Sequence, residues 1–319
     1  MVMRLSDCQL HRLLTCATDA AIEAGRLIAT VDRQTLQVKD KVAGDTLSSQ
    51  VVTQVDVDSQ ALIVSKLASS LDEYGIVILA EEGADEVSAS RHSRHDADYF
   101  WSIDPLDGTL PFIEGTAGFA VSIALVRQDG SPVLGVVMNP ATGDYYQALL
   151  GNTVTLLHKN GMHWQPIGEK GATSVFDLFI DRSFLNEQRF NDFLDKLEST
   201  VRDDGFSEVR VHHTSGAVMN AIKVMETPNA AYLKLPKKRK GGGSLWDFSA
   251  TAAIAEAARQ VWDNDVWVSD CHGAPLDLNR PDSHFMNHKG VVYLHHRGSD
   301  GAPSDLYERV IQLCRLIHA

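Results

Sequence analysis

The sequence predicts an α+β protein, with sheets sandwiched by helices in two halves, residues 1–170 and 171–319. Three observations predict it. Segments with apolar residues at helical spacing alternate with apolar runs of strand length. Turn pairs, Asp129-Gly130, Thr142-Gly143 and Asn160-Gly161, punctuate the middle of the chain. After residue 170 the strand and helix pattern restarts, which places a loose boundary near residues 165–175.

In chain order, "SDCQLHRLLTCATDAAIEAGRLIATV" carries Leu10, Leu13, Leu14, Ala17 and Ala21 at helical spacing, with Ser6 as N-cap and Gly25 late in the run. "SSQVVTQVDVDSQALIVSKLASSLDEYG" begins extended and becomes a second helix through Leu62, Ile63, Leu67 and Leu71. "GIVILAEEG" and "YFWSID" are short buried strands, each ending in acids. "FAVSIALVRQDGSPVLGVVMNPATGDYYQALLG" alternates like successive strands, and "NTVTLLHKNGMHWQPIG" is a further hairpin. The second half reads "SVFDLFID" as strand, "NEQRFNDFLDKLEST" and "SGAVMNAIKVME" as helices, and "AAYLKL" as strand. "LWDFSATAAIAEAARQV" follows as helix, "VWVSD" and "GVVYLHH" as strands, and a helix from about Ser304 closes the chain.

Composition narrows the function classes. A hydrophobic share of 44% and a charged share of 22% are ordinary for a globular protein. The net charge of −13 argues against a nucleic-acid polymer as partner, since phosphate backbones are held by Lys and Arg. Cys8, Cys16, Cys271 and Cys314 lie far apart without a CxxC or CxxH pattern, which suggests free thiols in a reducing compartment and excludes a cysteine zinc site. The N-terminus shows no signal peptide, and no run approaches the ~20 apolar residues of a membrane span. The expectation is a soluble cytoplasmic protein with no membrane partner.

Acids cluster where strands end or helices begin. Asp104 and Asp107 follow "YFWSI", Glu81 and Glu82 follow "IVILA", Asp56 precedes the second helix, and Asp247 follows "GGGSLW". Gathered carboxylates raise one another's pKa unless a cation sits among them, and hard oxygen ligands select Mg²⁺ or Mn²⁺ over zinc. Gly108 and Thr109 add backbone N–H groups that an anion can approach. Acids and free amides in one loop point to a metal-bridged phosphate. The alternative for "DPLDGT" alone is a solvent-exposed turn, because Asp, Pro and Gly favour turns.

"IDPLDGT" resembles the Asp-Pro-(Ile/Leu)-Asp-Gly-Thr signature of the inositol monophosphatase superfamily, and "LWDFSATAAIAEAAR" resembles its second, a Trp-Asp before a small-residue helix. "ILAEEG" is similar to the family's metal-binding Glu-Glu segment, "VVTQVD" to its Val-Thr-x-x-Asp segment, and "SGAVMNAIKVME" occupies the place of its substrate-touching helix start. The five segments keep the family's order across residues 51–260. Haloacid-dehalogenase phosphatases carry Asp-x-Asp-Gly-Thr near the N-terminus. Here the aspartates stand one residue further apart and the motif lies a third of the way along, so that reading is rejected.

The resemblance implies a layered αβαβα sandwich, like inositol monophosphatase and fructose-1,6-bisphosphatase. It implies that Glu81, Asp104 and the Leu106 carbonyl hold one Mg²⁺, and that Asp104, Asp107 and Asp247 hold a second. The Gly108 and Thr109 amides would bind phosphate, and Glu81 and the Thr109 hydroxyl would orient an attacking water. Asp56 would accept from that hydroxyl. A third, weaker Mg²⁺ and lithium inhibition are implied in the same way, and the family's frequent dimers are the ground for expecting a homodimer.

For substrate, family members acting on inositol monophosphate carry an acid shortly before the Trp-Asp. This chain instead reads "YLKLPKKRKGGGSLWD", with Lys234, Lys237, Lys238, Arg239 and Lys240 upstream of the site. A basic loop there suggests a small-molecule phosphate with a second anionic group, with Lys237 and Lys240 as substrate contacts. Ser215 and Gly216 are expected substrate contacts because the resemblance places the family's substrate-touching helix start there. "SHFMNHKGVVY" is similar to a stretch of 3′(2′),5′-bisphosphate nucleotidases, which favours 3′-phosphoadenosine 5′-phosphate as substrate. The alternatives are inositol 1-phosphate or another polyol phosphate, or a catalytically silent sensor of a metal or phosphometabolite. "PKKRK" also reads as a solvated loop, and Gly241-Gly242-Gly243 as a hinge. His212, His213, His295 and His296 read as surface or strand residues, and Trp246 as a packing residue that fixes Asp247. Pro111 stands where much of the family has a polar residue, and Phe248, Ser249 and Ala250 replace its usual Ala-Gly pair.

Overall fold

In the computed structural model, which describes residues 4–33, 38–40, 51–166, 174–237, 243–262, 265–286, 288–296 and 305–318, the first helix begins on a capping box. Ser6 Oγ accepts from the Gln9 amide, and the Gln9 side chain accepts from the Ser6 amide at 2.8 Å, which starts α1 (Asp7–Ala29). Leu10, Leu13, Leu14, Ala17 and Ala21 are all buried, as their spacing requires. Gly25 sits inside α1 because a Cβ there would meet the Met138 side chain at 2.7 Å. The second helix, α2 (Gln54–Tyr74), starts on an equivalent box made by Thr53 and Asp56. β1 (Val38–Asp40) and β2 (Val51–Thr53) pair antiparallel just before it.

Seven strands form the first large sheet in sequence order: β3 (Val77–Ala80), β4 (Tyr99–Asp107), β5 (Ala120–Arg127), β6 (Pro132–Met138), β7 (Tyr145–Leu150), β8 (Thr155–Lys159) and β9 (Met162–His163). β3 and β4 run parallel and the rest antiparallel. The expected turns make the hairpins: Gly130 and Gly143 take φ of 82° and 80°, and Asn160-Gly161 takes 53° and 74°. β5 shows why the strands are apolar throughout. Val121, Ile123 and Leu125 pack on one face and Ala120, Ala124 and Val126 on the other, so no face is left for water.

The second sheet has the order β11-β10-β12-β14-β13, from β10 (Val175–Phe179), β11 (Glu208–His212), β12 (Ala230–Lys234), β13 (Val266–Ser269) and β14 (Val291–His295). Its helices are α4 (Phe190–Arg202), α5 (Ala217–Glu226), α6 (Leu245–Val261) and α7 (Leu306–His318). Strand β11 escaped the sequence reading because "EVRVH" is an edge strand with no fully buried residue. The expected boundary near residue 170 falls in 167–173, outside the described residues.

Three apolar clusters define the layering. One packs α1 and α2 on the outer face of the seven-stranded sheet, one holds α5 and α6 between the sheets, and one packs α4 and α7 on the outer face of the second sheet. The result is the αβαβα sandwich. α6 lies on the seven-stranded sheet through small residues: a Cβ on Gly135 would stand 2.3 Å from the Ala250 carbonyl oxygen. No helix among the described residues is long and apolar enough to cross a membrane.

Candidate active site

The sequence places the end of the fourth strand at Asp104, whereas β4 continues to Asp107 with a register shift between the two. Pro105 fits there because β3 has already ended opposite Ile103, so no partner on that side needs its missing N–H. The Ser59 hydroxyl fixes the Pro105 carbonyl at 2.8 Å, and the Leu106 amide donates to Asp104 Oδ1 at 3.0 Å. Gly108 then turns the chain at φ 78°, where a Cβ would stand 2.8 Å from the Gly118 carbonyl oxygen. The short helix α3 (Thr109–Ile113) follows. Pro111 lies in its first turn, where an unsatisfied N–H would stand in any case, so the departure from the family pattern leaves the helix intact.

This bend brings the predicted acids together. Carboxylate oxygens of Asp104, Asp107 and Asp247 all lie within 4.8 Å of one another. Asp104 and Asp107 are buried, and Asp247 is partly open to a cavity of about 130 Å³ that Glu81, Leu106, Gly108 and Thr109 also line. Burial first, and then the charges of Glu81, Asp107 and Asp247, push the Asp104 carboxyl well above its usual range. Asp107 is pushed up by burial and Asp247, against the opposing Val218 amide and Lys234 charge. Asp247 is pushed up to about 7, chiefly by burial, with Lys234 opposing. Oxygen-only donors under this strain suit a hard divalent cation, which relieves the repulsion and accepts their lone pairs. The donor set therefore fits Mg²⁺.

Asp56 serves two neighbours. One oxygen accepts from the Thr53 amide and hydroxyl at 2.9 and 2.6 Å, and the other accepts from Thr109 Oγ1 at 3.2 Å. Asp107 reaches across the fold. Its oxygens accept from the Ala217 and Val218 amides at 3.1 and 2.9 Å, at the start of α5. Gly216 permits that approach, since a Cβ there would lie 2.3 Å from Asp107 Oδ2.

The expected substrate contacts divide. Ser215 and Gly216 line the cavity. Lys237 does not: its ammonium pairs with Glu187 at 2.7 Å and reaches Ser183 at 3.3 Å. Lys240, with Lys238, Arg239, Gly241 and Gly242, lies outside the described residues. Asn287 of the "MNHKG" stretch lies outside them too.

Residues that the sequence reading did not place in the site complete the wall. Asp181, Arg182 and His213 line the cavity together with Lys234, Trp246 and Phe285. Lys234 is buried against Asp181, which also accepts from the Tyr232 hydroxyl at 2.8 Å. Burial alone would raise the Asp181 carboxyl, but Lys234 and Tyr232 together hold it below its usual value. Arg182 makes a bidentate pair with Glu114 at 2.6 Å for each bond. His213, expected at the surface or in a strand, instead faces the cavity with a buried Nδ1 that has no partner. A signal for Asp181 was present, since "SVFDLFID" ends a buried strand in an acid as "YFWSID" does. His213 carried no such signal.

Comparison with known proteins identifies the family. The model of the inositol monophosphatase family matches residues 9–315. Over 252 residues the chain is 37% identical to the Nus factor SuhB of Vibrio cholerae, covering 79% of this chain and 85% of that protein. It is 39% identical over 136 residues to the inositol-1-monophosphatase of Mesorhizobium japonicum, 42% of this chain and 46% of that one. The solved structure of a Thermotoga maritima IMPase shares the fold, with a TM-score of 0.64 at 21% identity over 95% of this chain and 97% of its own. The family match runs nearly from end to end of the chain and the SuhB alignment covers most of it, so the protein belongs to the inositol monophosphatase family, whose members hydrolyse phosphate monoesters.

Proposed function

We propose that the protein is a Mg²⁺-dependent phosphomonoesterase for a small metabolite that carries a second anionic group, with 3′-phosphoadenosine 5′-phosphate favoured. The observation that carries the reading is the meeting of Asp104, Asp107 and Asp247 oxygens within 4.8 Å. Glu81, Asp104 and the Leu106 carbonyl would hold one ion, and Asp104, Asp107 and Asp247 the other. Mn²⁺ suits the same oxygens. When bound, the ions supply positive charge to the phosphoryl oxygens and acidify water.

The chain's own groups do the rest. Thr109 Oγ1 donates its proton to Asp56 Oδ1 at 3.2 Å, which leaves its lone pairs to accept from the attacking water. Glu81, on the same cavity wall, accepts the proton that water releases. The Gly108 and Thr109 amides, at the turn into α3, orient the phosphate oxygens. Support for a second anion comes from the opposite wall, where Arg182 and Lys234 line the cavity and keep N–H donors beyond the pairs they make with Glu114 and Asp181. Lys237, paired with Glu187, does not line it.

One observation favours a second reading. Asp181, held ionised on the wall, can accept hydroxyl protons and so suits inositol 1-phosphate or another polyol phosphate. A substrate panel decides between them. Phosphate release from 3′-phosphoadenosine 5′-phosphate, fructose 1,6-bisphosphate and inositol 1-phosphate is measured with Mg²⁺ and with EDTA. No Mg²⁺-dependent release from any of them would leave the sensor reading standing. Preference for inositol 1-phosphate would select the polyol reading.

A further inference from the structure

We propose that Lys223 is the residue that sets the site's preference for a second anionic group, acting through the Ser215 hydroxyl. The inference rests on the phosphomonoesterase reading above and names the substrate feature that this wall selects.

Lys223 Nζ lies 2.6 Å from Ser215 Oγ. An ammonium group has three donors and no acceptor, so Ser215 must be the acceptor in that bond. The proton of Ser215 cannot point back at Lys223, and no described residue takes it. Ser215 lines the cavity, so that proton is available to a bound molecule. Lys223 thus turns the Ser215 proton away from itself and backs that donor with a positive charge.

The arrangement is held firmly. The Gly216 amide donates to the Gly118 carbonyl at 2.7 Å, and Asn220 Nδ2 donates to the Ser215 carbonyl at 3.3 Å. A Cβ on Gly118 would lie 2.6 Å from Ser215 Cα, so the two segments are in direct backbone contact. No carboxylate among the described residues forms an ion pair with Lys223. Glu226, whose charge it feels, is engaged by Lys159 and by the Tyr146 hydroxyl. The charge of Lys223 is therefore left to act on Ser215 and what Ser215 binds.

Two residues earlier, His213 lines the same cavity, and its buried Nδ1 has no hydrogen-bond partner. A donor with a cation behind it suits an acceptor-only group, a phosphate or a carboxylate. A neutral polyol hydroxyl gains less there, because the ammonium charge behind Ser215 favours an anion.

Adenosine 3′-phosphate and 3′-phosphoadenosine 5′-phosphate differ only by the 5′-phosphate, so comparing their KM values isolates this contact. Loss of a charge-assisted hydrogen bond in Lys223→Met should raise KM for the bisphosphate ~10-fold, with kcat and the monophosphate KM little changed. Lys223→Arg should restore the bisphosphate KM to within about threefold, and Ser215→Ala should reproduce the loss, with little added by the double variant. Equal rises for both substrates, no rise for the bisphosphate, or no rescue by Arg would each overturn the proposal. Calorimetric titration of the full chain with adenosine 5′-phosphate separates it from the reaction itself. Binding ~10-fold weaker in Lys223→Met supports the subsite even if no substrate is hydrolysed, which would sink only the phosphomonoesterase reading. Equal affinity in the two proteins, or no binding by the unmodified chain, overturns it.

Discussion

Asp107 Oδ2 accepts a hydrogen bond from the Val218 amide at 2.9 Å, so a carboxylate at the end of β4 also caps the start of α5. The same side chain belongs to the cluster that fits a divalent cation. Asp107→Asn keeps one oxygen for the helix and loses a charge from the cluster. Phosphate release should fall by more than the ~10–100-fold typical of a partner that only supports a ligand. Without a cation, the lost capping contact of about 1 kcal/mol opposes the relief of carboxylate repulsion, so Tm in EDTA should change little. A variant that kept most of its rate would remove Asp107 from the metal site.

Mg²⁺ should stabilise the protein more at pH 8 than at pH 6. Asp247 is pushed up to about 7 from an ordinary 3.8, and Asp104 and Asp107 are pushed up as well. A carboxyl raised in this way binds more protons folded than unfolded. Its penalty therefore grows as pH rises through the folded value and is complete above about 7. His92 and His295, which burial holds down to about 4, act oppositely and only below their ordinary 6.5. A cation bound at 100 times its Kd adds roughly 2.7 kcal/mol, several degrees of Tm. Thermal melts in Mg²⁺ and in EDTA at both pH values test this, and equal gains at the two would count against the carboxylates as the binding groups.

Thr109→Ala should lower kcat by about 10²-fold with KM little changed, because it removes the hydroxyl that Asp56 holds at 3.2 Å. Thr109→Ser keeps that hydroxyl and should recover most of the rate. Steady-state kinetics of the two variants decide whether the hydroxyl or the methyl group matters.

Lys237→Met should leave KM within about twofold for every substrate, since Lys237 pairs with Glu187 and does not line the cavity. A selective rise for bisphosphates would return the 237–240 loop to the substrate site.

Gly216→Ala should weaken Mg²⁺ binding about 10-fold or more, because the new methyl would press on Asp107 Oδ2 at 2.3 Å. The backbone tolerates alanine at φ −67°, so the loss would come from displacement of the ligand. Calorimetric Mg²⁺ titration measures it, and unchanged affinity would show that Asp107 tolerates the shift.

The acids of the site were legible in the sequence because each ends a strand or opens a helix, places where periodicity locates a residue well. Asp104, Asp107 and Asp247 all stand in such places, whereas the Asp56–Thr109 contact was implied only by the family resemblance. The opposite wall was not legible. Lys237 and Lys234 lie on one short stretch, and only the fold turns Lys234 inward to Asp181 and Lys237 outward to Glu187. His213 follows an edge strand whose pattern gave no sign of burial, and its place depends on where β11 docks. Local pattern locates an element, whereas the direction of a flexible cation depends on tertiary partners.

Gly135 lets α6 rest on β6, so Asp247 is seated on the same sheet as Asp104 and Asp107 although it comes late in the chain. Residues 181–183 and 213–215 follow strands of the other sheet, and only Gly216 beside them is tied to Asp107. Inheritance can therefore treat the two groups separately. A descendant gene can rewrite two short stretches and meet a new metabolite while the inherited cation ligands stay where they are.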